Sequence, residues 1–170
     1  MSDPNKIKIQ VFEEILYHLN EWHKEQNPGK ENDLSILKVM KLLFFVSGAD
    51  SENHLFDVFD KFQAWQYGHV EAEIYDYYYK NEGRFENLTL NRKTTDFSNT
   101  AIINSNFSQK ISKNVNKLKE ENIDLISYEA FRLVDISHSY ISWDFYYNKL
   151  NKPYQDISED MLKYEPRYYR

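Results

Sequence analysis

The chain contains no cysteine. That removes disulfides, thiolate zinc sites, cysteine-ligated iron–sulfur clusters and a cysteine nucleophile together, and it fits a reducing compartment. Glycine and proline are nearly as scarce, with four of each in 170 residues, about 5% against a usual ~12% for the pair. Gly29, Gly48, Gly68 and Gly83 are nowhere closer than 15 positions apart. A loop that cradles phosphate needs neighbouring glycines, so a Walker A loop, a dinucleotide fingerprint and a G-x-S-x-G elbow are excluded. Long apolar runs are missing as well. The longest, Leu42 to Val46, falls far short of the ~20 residues that span a bilayer. Met1 to Gln10 mixes Asp3, Lys6 and Lys8 with scattered apolar residues. No secretory leader is expected there, and the reading is a cytoplasmic protein without membrane contact.

What is abundant is aromatic: 14 Tyr, 11 Phe and 3 Trp. A chain of this length suits one domain. Charge is uneven. Residues 1–90 carry 9 basic and 16 acidic groups, whereas residues 91–170 carry 12 and 11. An acidic front half argues against a large phosphate-backbone footprint, so nucleic acid is not an expected partner.

The apolar spacing predicts a mainly α fold: one compact helical domain of six to eight helices with little or no β-strand. Phe12, Ile15, Leu16, Leu19 and Trp22 form one face of a helix over 7–23, with Glu13, Glu14 and Glu21 facing elsewhere. Pro28-Gly29 breaks it, and Asp33 is the expected cap of the next helix. Ten of the thirteen residues from Leu34 to Val46 are apolar, leaving Ser35, Lys38 and Lys41 as a narrow polar strip. A helix apolar nearly all round belongs at the centre. Residues 55–70 read as irregular and aromatic, followed by a helix from about Glu71, and residues 81–107 as loop or short extended pieces. Ser108 and Ser127 are expected to cap two further helices, the second with Phe131 and Val134 inward, and Ser158 a last short one. Residues 1–150 form the helical domain, and 151–170 add a short helix and an aromatic-basic tail packed on it.

No catalytic set stands out. Asp135 and His138 are three apart on an expected helix, so the carboxylate can orient the imidazole, but such helical pairs are common. His18 and His23 are five apart and do not share a helical face. No metal ligands, cofactor or catalytic residues are therefore assigned, and the expectation is a protein that is not an enzyme. Lys110, Lys113 and Lys117 share one face, which solvent explains as well as an anionic partner does. The tyrosine surplus is more telling, because Tyr, Trp and Arg dominate binding hot spots. Tyr75 and Tyr79, together with Arg167, Tyr168 and Tyr169 of the tail, are candidate partner-binding residues.

Val39-Met40-Lys41-Leu42-Leu43-Phe44-Phe45-Val46-Ser47-Gly48 resembles the L-x-K-L-L-Y-F-A-x-G helix of the Panacea domain family. Phe62-Gln63-Ala64-Trp65-Gln66-Tyr67-Gly68-His69-Val70 is similar to that family's F-x-A-W-x-Y-G-P-V signature. Leu133 through His138, followed by Trp143, is similar to its looser L-x-x-x-S-H…W pattern. The likeness runs from about Ile7 to Leu150. It implies a mostly helical antitoxin from a bacterial or phage toxin–antitoxin pair, which binds its cognate toxin protein directly. Some relatives act as adaptors, with a protease or chaperone as a further partner. Trp65 to His69, with Trp143, is then the organising centre. Position 69 departs from the pattern. A Pro would suit a first helical position, and His there adds a titratable group beside a helix N-terminus, whose dipole disfavours the protonated form. The oligomeric state is left open.

Overall fold

The computed structural model describes residues 4–98 and 105–169; residues 1–3, 99–104 and 170 lie outside the described residues, taking with them part of the stretch read as loop. Among the described residues the chain is mainly α, 55% helical with seven α-helices, and a little β is present as two antiparallel pairs of strands. The helices are α1 (Pro4–Gln26), α2 (Ile36–Gly48), α3 (Ala72–Lys80), α4 (Ser108–Glu121), α5 (Ala130–His138), α6 (Ile141–Asp144) and α7 (Glu159–Tyr164). The strands are β1 (Phe62–Trp65) with β2 (Gly68–Glu71), and β3 (Leu88–Leu90) with β4 (Thr95–Phe97). No described helix is long and apolar enough to cross a membrane.

Helix α2 is the axis of the molecule, as its composition predicts. Its neighbours are α1, α4, α5 and β2, and Lys38 and Lys41 are buried along with its apolar residues. The polar strip is thus covered along with the rest of the helix. Ser35, not Asp33, caps the helix, accepting a hydrogen bond from the Lys38 amide at 3.2 Å. Asp33 serves the side chain instead: Lys38 Nζ donates to Asp33 at 2.9 Å and to the carbonyl of Ile126 at 2.6 Å.

Several further expectations are corrected by packing. Glu13 and Glu14 do not face solvent; both are buried. Glu13 accepts a hydrogen bond from the Asn87 amide at 2.9 Å, and Glu14 accepts from the hydroxyls of Ser105, at 2.7 Å, and Ser108. Ser108 thus lies inside the first turn of α4, and Phe107 occupies the cap position. Ser127 ends a 3₁₀ turn over Leu125–Ser127, and Glu129 precedes α5. Phe131 faces outward, 61% exposed, because α5 turns Leu133, Val134 and Ser137 to the core. Residues 62–70, expected to be irregular, form a β-hairpin together with Glu71, while 88–97, within the stretch read as loop or short extended pieces, form a second. Ser158 does cap α7, accepting from the Met161 amide at 3.3 Å.

Phe44 on α2 is the hub of the aromatic core. Its ring lies 5.8 Å from Phe45, 6.3 Å from Phe56, 5.4 Å from Phe62 and 4.9 Å from Tyr140. Phe62 and Tyr140 meet it edge-on and Phe45 and Phe56 tilted, arrangements that suit the ring quadrupoles. The segment after Leu150 closes over this core. Ile157 donates its amide to the Phe62 carbonyl at 2.8 Å, and Tyr169 is buried against Phe45 at 5.7 Å.

At the foot of the first hairpin, Lys8 of α1 meets three carboxylates: Asp60 at 2.8 Å, Glu71 at 2.9 Å and Glu73 at 3.1 Å. Glu71 is fully buried, and its burial raises its pKa while Lys8 opposes that shift. Replacing Lys8 by Met strands the Glu71 carboxylate without its counter-charge, and the expected cost is about 3–5 kcal/mol at neutral pH. Folded Glu71 binds a proton more readily than unfolded Glu71, so the variant gains stability as pH falls from 7 to 5. Denaturant unfolding at the two pH values measures both effects; a variant as stable as the parent at pH 7 contradicts the assignment.

Candidate functional site

Gln66 and Tyr67 form the two-residue turn of the β1–β2 hairpin, between the paired Trp65 and Gly68. Gly68 has φ +98°, and a Cβ there would lie 2.5 Å from Ser137 Oγ, 2.9 Å from Ser137 Cβ and 3.2 Å from Lys41 Cδ. Glycine is required by both backbone angle and space. That close approach lets the hairpin seat on α2 and α5 together. Lys41, fully buried, donates through Nζ to the carbonyl of His69 at 2.5 Å. Burial without a counter-charge lowers its pKa to about 7.

His69 is the centre of a buried polar chain. Its amide donates to Ser137 Oγ at 2.9 Å, Nδ1 lies 2.7 Å from the same oxygen, and Nε2 lies 2.8 Å from Ser142 Oγ. Ser142 Oγ donates to Glu165 at 2.6 Å, and the Ser142 amide donates to the other carboxylate oxygen at 2.9 Å. One consistent set of protons follows. Ser142 gives its hydrogen to Glu165 and so accepts from His69 Nε2–H, leaving Nδ1 to accept from Ser137. His69 is therefore neutral. Its pKa lies well below the ordinary value, first because it is buried and then because Lys41 and His138 stand near. Its ring stacks on Phe44 at 3.6 Å and 5°.

This corrects the reading of position 69. His69 sits within β2, and α3 begins three residues later with Glu71 as its cap. The causes of its depressed basicity are burial first, then Lys41 and His138. A proline here would also lack the N–H that binds Ser137.

The residues singled out from the sequence are largely brought together. Lys41, Leu42 and Leu43 lie on α2, and Phe62, Ala64, Trp65, Tyr67, Gly68, His69 and Val70 on the hairpin beside it. His138 and Trp143 hold the turn from the other side. His138 Nε2 bonds the Gln66 carbonyl at 3.0 Å, Trp143 Nε1 donates to the Trp65 carbonyl at 2.7 Å, and the two rings stack at 3.9 Å. Among the described residues Asp135 makes no hydrogen bond to His138, so the pair is not joined as an acid–base unit. The described residues contain no group of three or more His, Asp or Glu that could hold a metal ion. Lys110 pairs with Asp57 at 3.7 Å and Lys117 with Glu121 at 3.7 Å.

The candidate contact residues divide. Tyr79 is exposed and Tyr75 half-buried. In the tail, Tyr168 is partly exposed, its ring edge-on to Tyr140 at 5.1 Å. Tyr169 is buried, and Arg167 is bound to the carbonyls of Gly48 at 2.8 Å, Leu162 at 3.1 Å and Glu165 at 3.0 Å. Tyr169 is therefore an internal fastener of the chain end, and Arg167 ties that end to the Gly48 carbonyl at the end of α2 while staying partly exposed.

Outside the hairpin opens a cleft of about 480 Å³. Ile36, Met40 and Lys41 of α2 contribute one side, Trp65, Tyr67 and Val70 the hairpin side, with Tyr75, Arg92 and Tyr154 completing it. The cleft and its companion Phe131, in edge contact with Tyr67 at 5.8 Å, make up the candidate site. Ser142, Glu165, Arg92 and Tyr154 were assigned to no site from the sequence, Ser137 entered only as the serine of the third motif, and Phe131 only as a core residue; a lysine set in an otherwise apolar helix was the one available signal of a buried polar chain.

Replacing Lys41 by Met tests this centre. Between pH 7 and 9.5 unfolded Lys41 stays protonated while folded Lys41 loses its proton near 7, so its contribution makes the parent more stable as pH rises, by up to about 1.4 kcal/mol per pH unit. The variant is expected to lose that part of the slope in unfolding titrations; an unchanged slope contradicts the burial of the amine. Gly68→Ala is expected to lower stability by more than about 1 kcal/mol, read from the same unfolding curves.

No family model matches the chain, and no curated protein and no solved structure matches it.

Proposed function

We propose that the protein is an antitoxin that neutralises a cognate toxin protein by binding it directly, as its resemblance to Panacea domains implies. The observation that carries the reading is an aromatic surface beside the motif hairpin. Tyr67 is 49% exposed and Phe131 61% exposed, the two rings touch, and Tyr67 continues into the cleft. Exposed rings of this size, anchored on a rigid hairpin, are the kind of side chain that carries binding energy at protein interfaces. Tyr75, on the cleft wall, extends the same surface, while Tyr79 stands exposed near the end of α3.

The mechanism is occlusion. A toxin surface covers Tyr67 and Phe131, and the toxin's own active surface is blocked while the complex lasts. No bond is made or broken in the antitoxin. The buried chain Ser137–His69–Ser142–Glu165 acts structurally, holding the hairpin at a fixed height above α2 so that the rings meet the partner without reordering.

The test is co-expression with the product of the adjacent reading frame. That product is expected to be toxic alone, harmless with this protein, and to co-purify with it. Tyr67→Ala combined with Phe131→Ala removes exposed side chains and leaves the fold intact, and the double variant is expected to bind about 30-fold or more weakly, the loss of one hot spot. A harmless neighbour overturns the antitoxin reading. A toxic neighbour that binds the double variant as tightly as the parent keeps that reading and moves the surface elsewhere.

A further inference from the structure

The charge around the cleft opposes that of the chain. The protein has 27 acidic against 21 basic side chains, yet among the described residues lining the cleft there is no carboxylate, and Arg92 is the charged group that reaches solvent there. Arg92 is exposed in the turn between β3 and β4 and makes no hydrogen bond or ion pair to a described residue. Lys8, Lys38 and Lys61, by contrast, are each bound to a carboxylate.

Aromatic rings line the cleft as well, and Trp65 among them is held in place. Trp65 meets Tyr75 edge-on at 5.1 Å and Tyr154 at 5.7 Å. Its Nε1 donates to Gln63 at 2.9 Å, and Gln63 in turn donates to Asp156 at 2.9 Å. A flat ring entering beside Trp65 finds a face already ordered, which removes much of the usual cost of binding. The cleft volume of about 480 Å³ lies within the ~300–1,000 Å³ range of small-molecule sites.

We infer that the cleft binds a small planar aromatic compound carrying one anionic group, its ring against Trp65 and its anion toward Arg92. This site does not depend on the antitoxin reading. Arg92 selects an anion, the aromatic wall selects a ring, and the volume selects a compound of drug-like size over an extended chain.

Isothermal titration of the purified full chain with three probes that share one ring tests it: indole-3-propionate, its neutral amide, and tryptamine. The acid is expected to bind at least about tenfold more tightly than the amide or the amine. Arg92→Glu, a change on an exposed turn, is expected to weaken the acid about tenfold and leave the amide unaltered, with the thermal midpoint unchanged. Acetyl-Asp-Trp-amide presents the same chemistry on a peptide and is expected to bind more weakly than the free acid. Absence of binding by all probes, equal affinity for acid and amide, or indifference to Arg92→Glu overturns the inference. Tighter binding of the peptide also overturns it, assigning the cleft to a segment of a protein partner.

Discussion

The burial of Lys41 sets the terms for the rest of the structure. An amine in the middle of an apolar helix cannot reach water and must find an acceptor in the core. The acceptor is the backbone carbonyl of His69, which ties the first hairpin directly onto α2. Because that carbonyl is used from below, the His69 side chain must settle its own two nitrogens above, and it does so on Ser137 of α5 and Ser142 of α6. Ser142 passes the requirement on to Glu165, and so to the chain end. Five separate parts of the chain are thus placed by successive demands for hydrogen-bond partners, each of which would leave a buried group unmet if the next were missing.

The aromatic residues have two roles, separated by geometry. Phe44, Phe45, Phe56, Phe62 and Tyr140 fill the interior around α2, with Tyr169 closing one side. They do the work that aliphatic residues do in most cores. Trp65, Trp143 and His138 form a collar around the hairpin turn, held by their ring nitrogens to backbone carbonyls and to Gln63. Tyr67, Phe131 and Tyr154 lie beyond that collar and remain largely exposed. A surplus of rings outside a complete core is what distinguishes this surface from ordinary solvent-facing protein.

Much of this was legible beforehand, and the misses have physical causes. The central position of α2 followed from its composition. Ser158, Gly68 and the convergence of the hairpin with Trp143 were likewise visible in residue type and order. The partners of the polar strip were not legible, because periodicity reports which face a residue occupies and not which segment meets it; the carbonyls of Ile126 and His69 meet this one. Glu13 and Glu14 were misplaced for the same reason, since Asn87, Ser105 and Ser108 come from segments more than 70 residues away. Position 69 was placed at a helix start because a strand of four residues has too few alternations to announce itself.

The sequence by itself determined that the fold is mainly helical around one apolar helix, that phosphate-loop and thiol chemistry are absent, and that the aromatic residues exceed what a domain of this size usually carries. Those conclusions depend on residue type and local spacing alone. Only the tertiary structure decided which lysine is buried and which is free, that Arg167 and Tyr169 fasten the chain end while Phe131 faces out, and that Trp65 and Arg92 share a cleft. Each of those depends on which distant segment arrives as a neighbour, and burial and partnership belong to pairs of segments that no local pattern encodes.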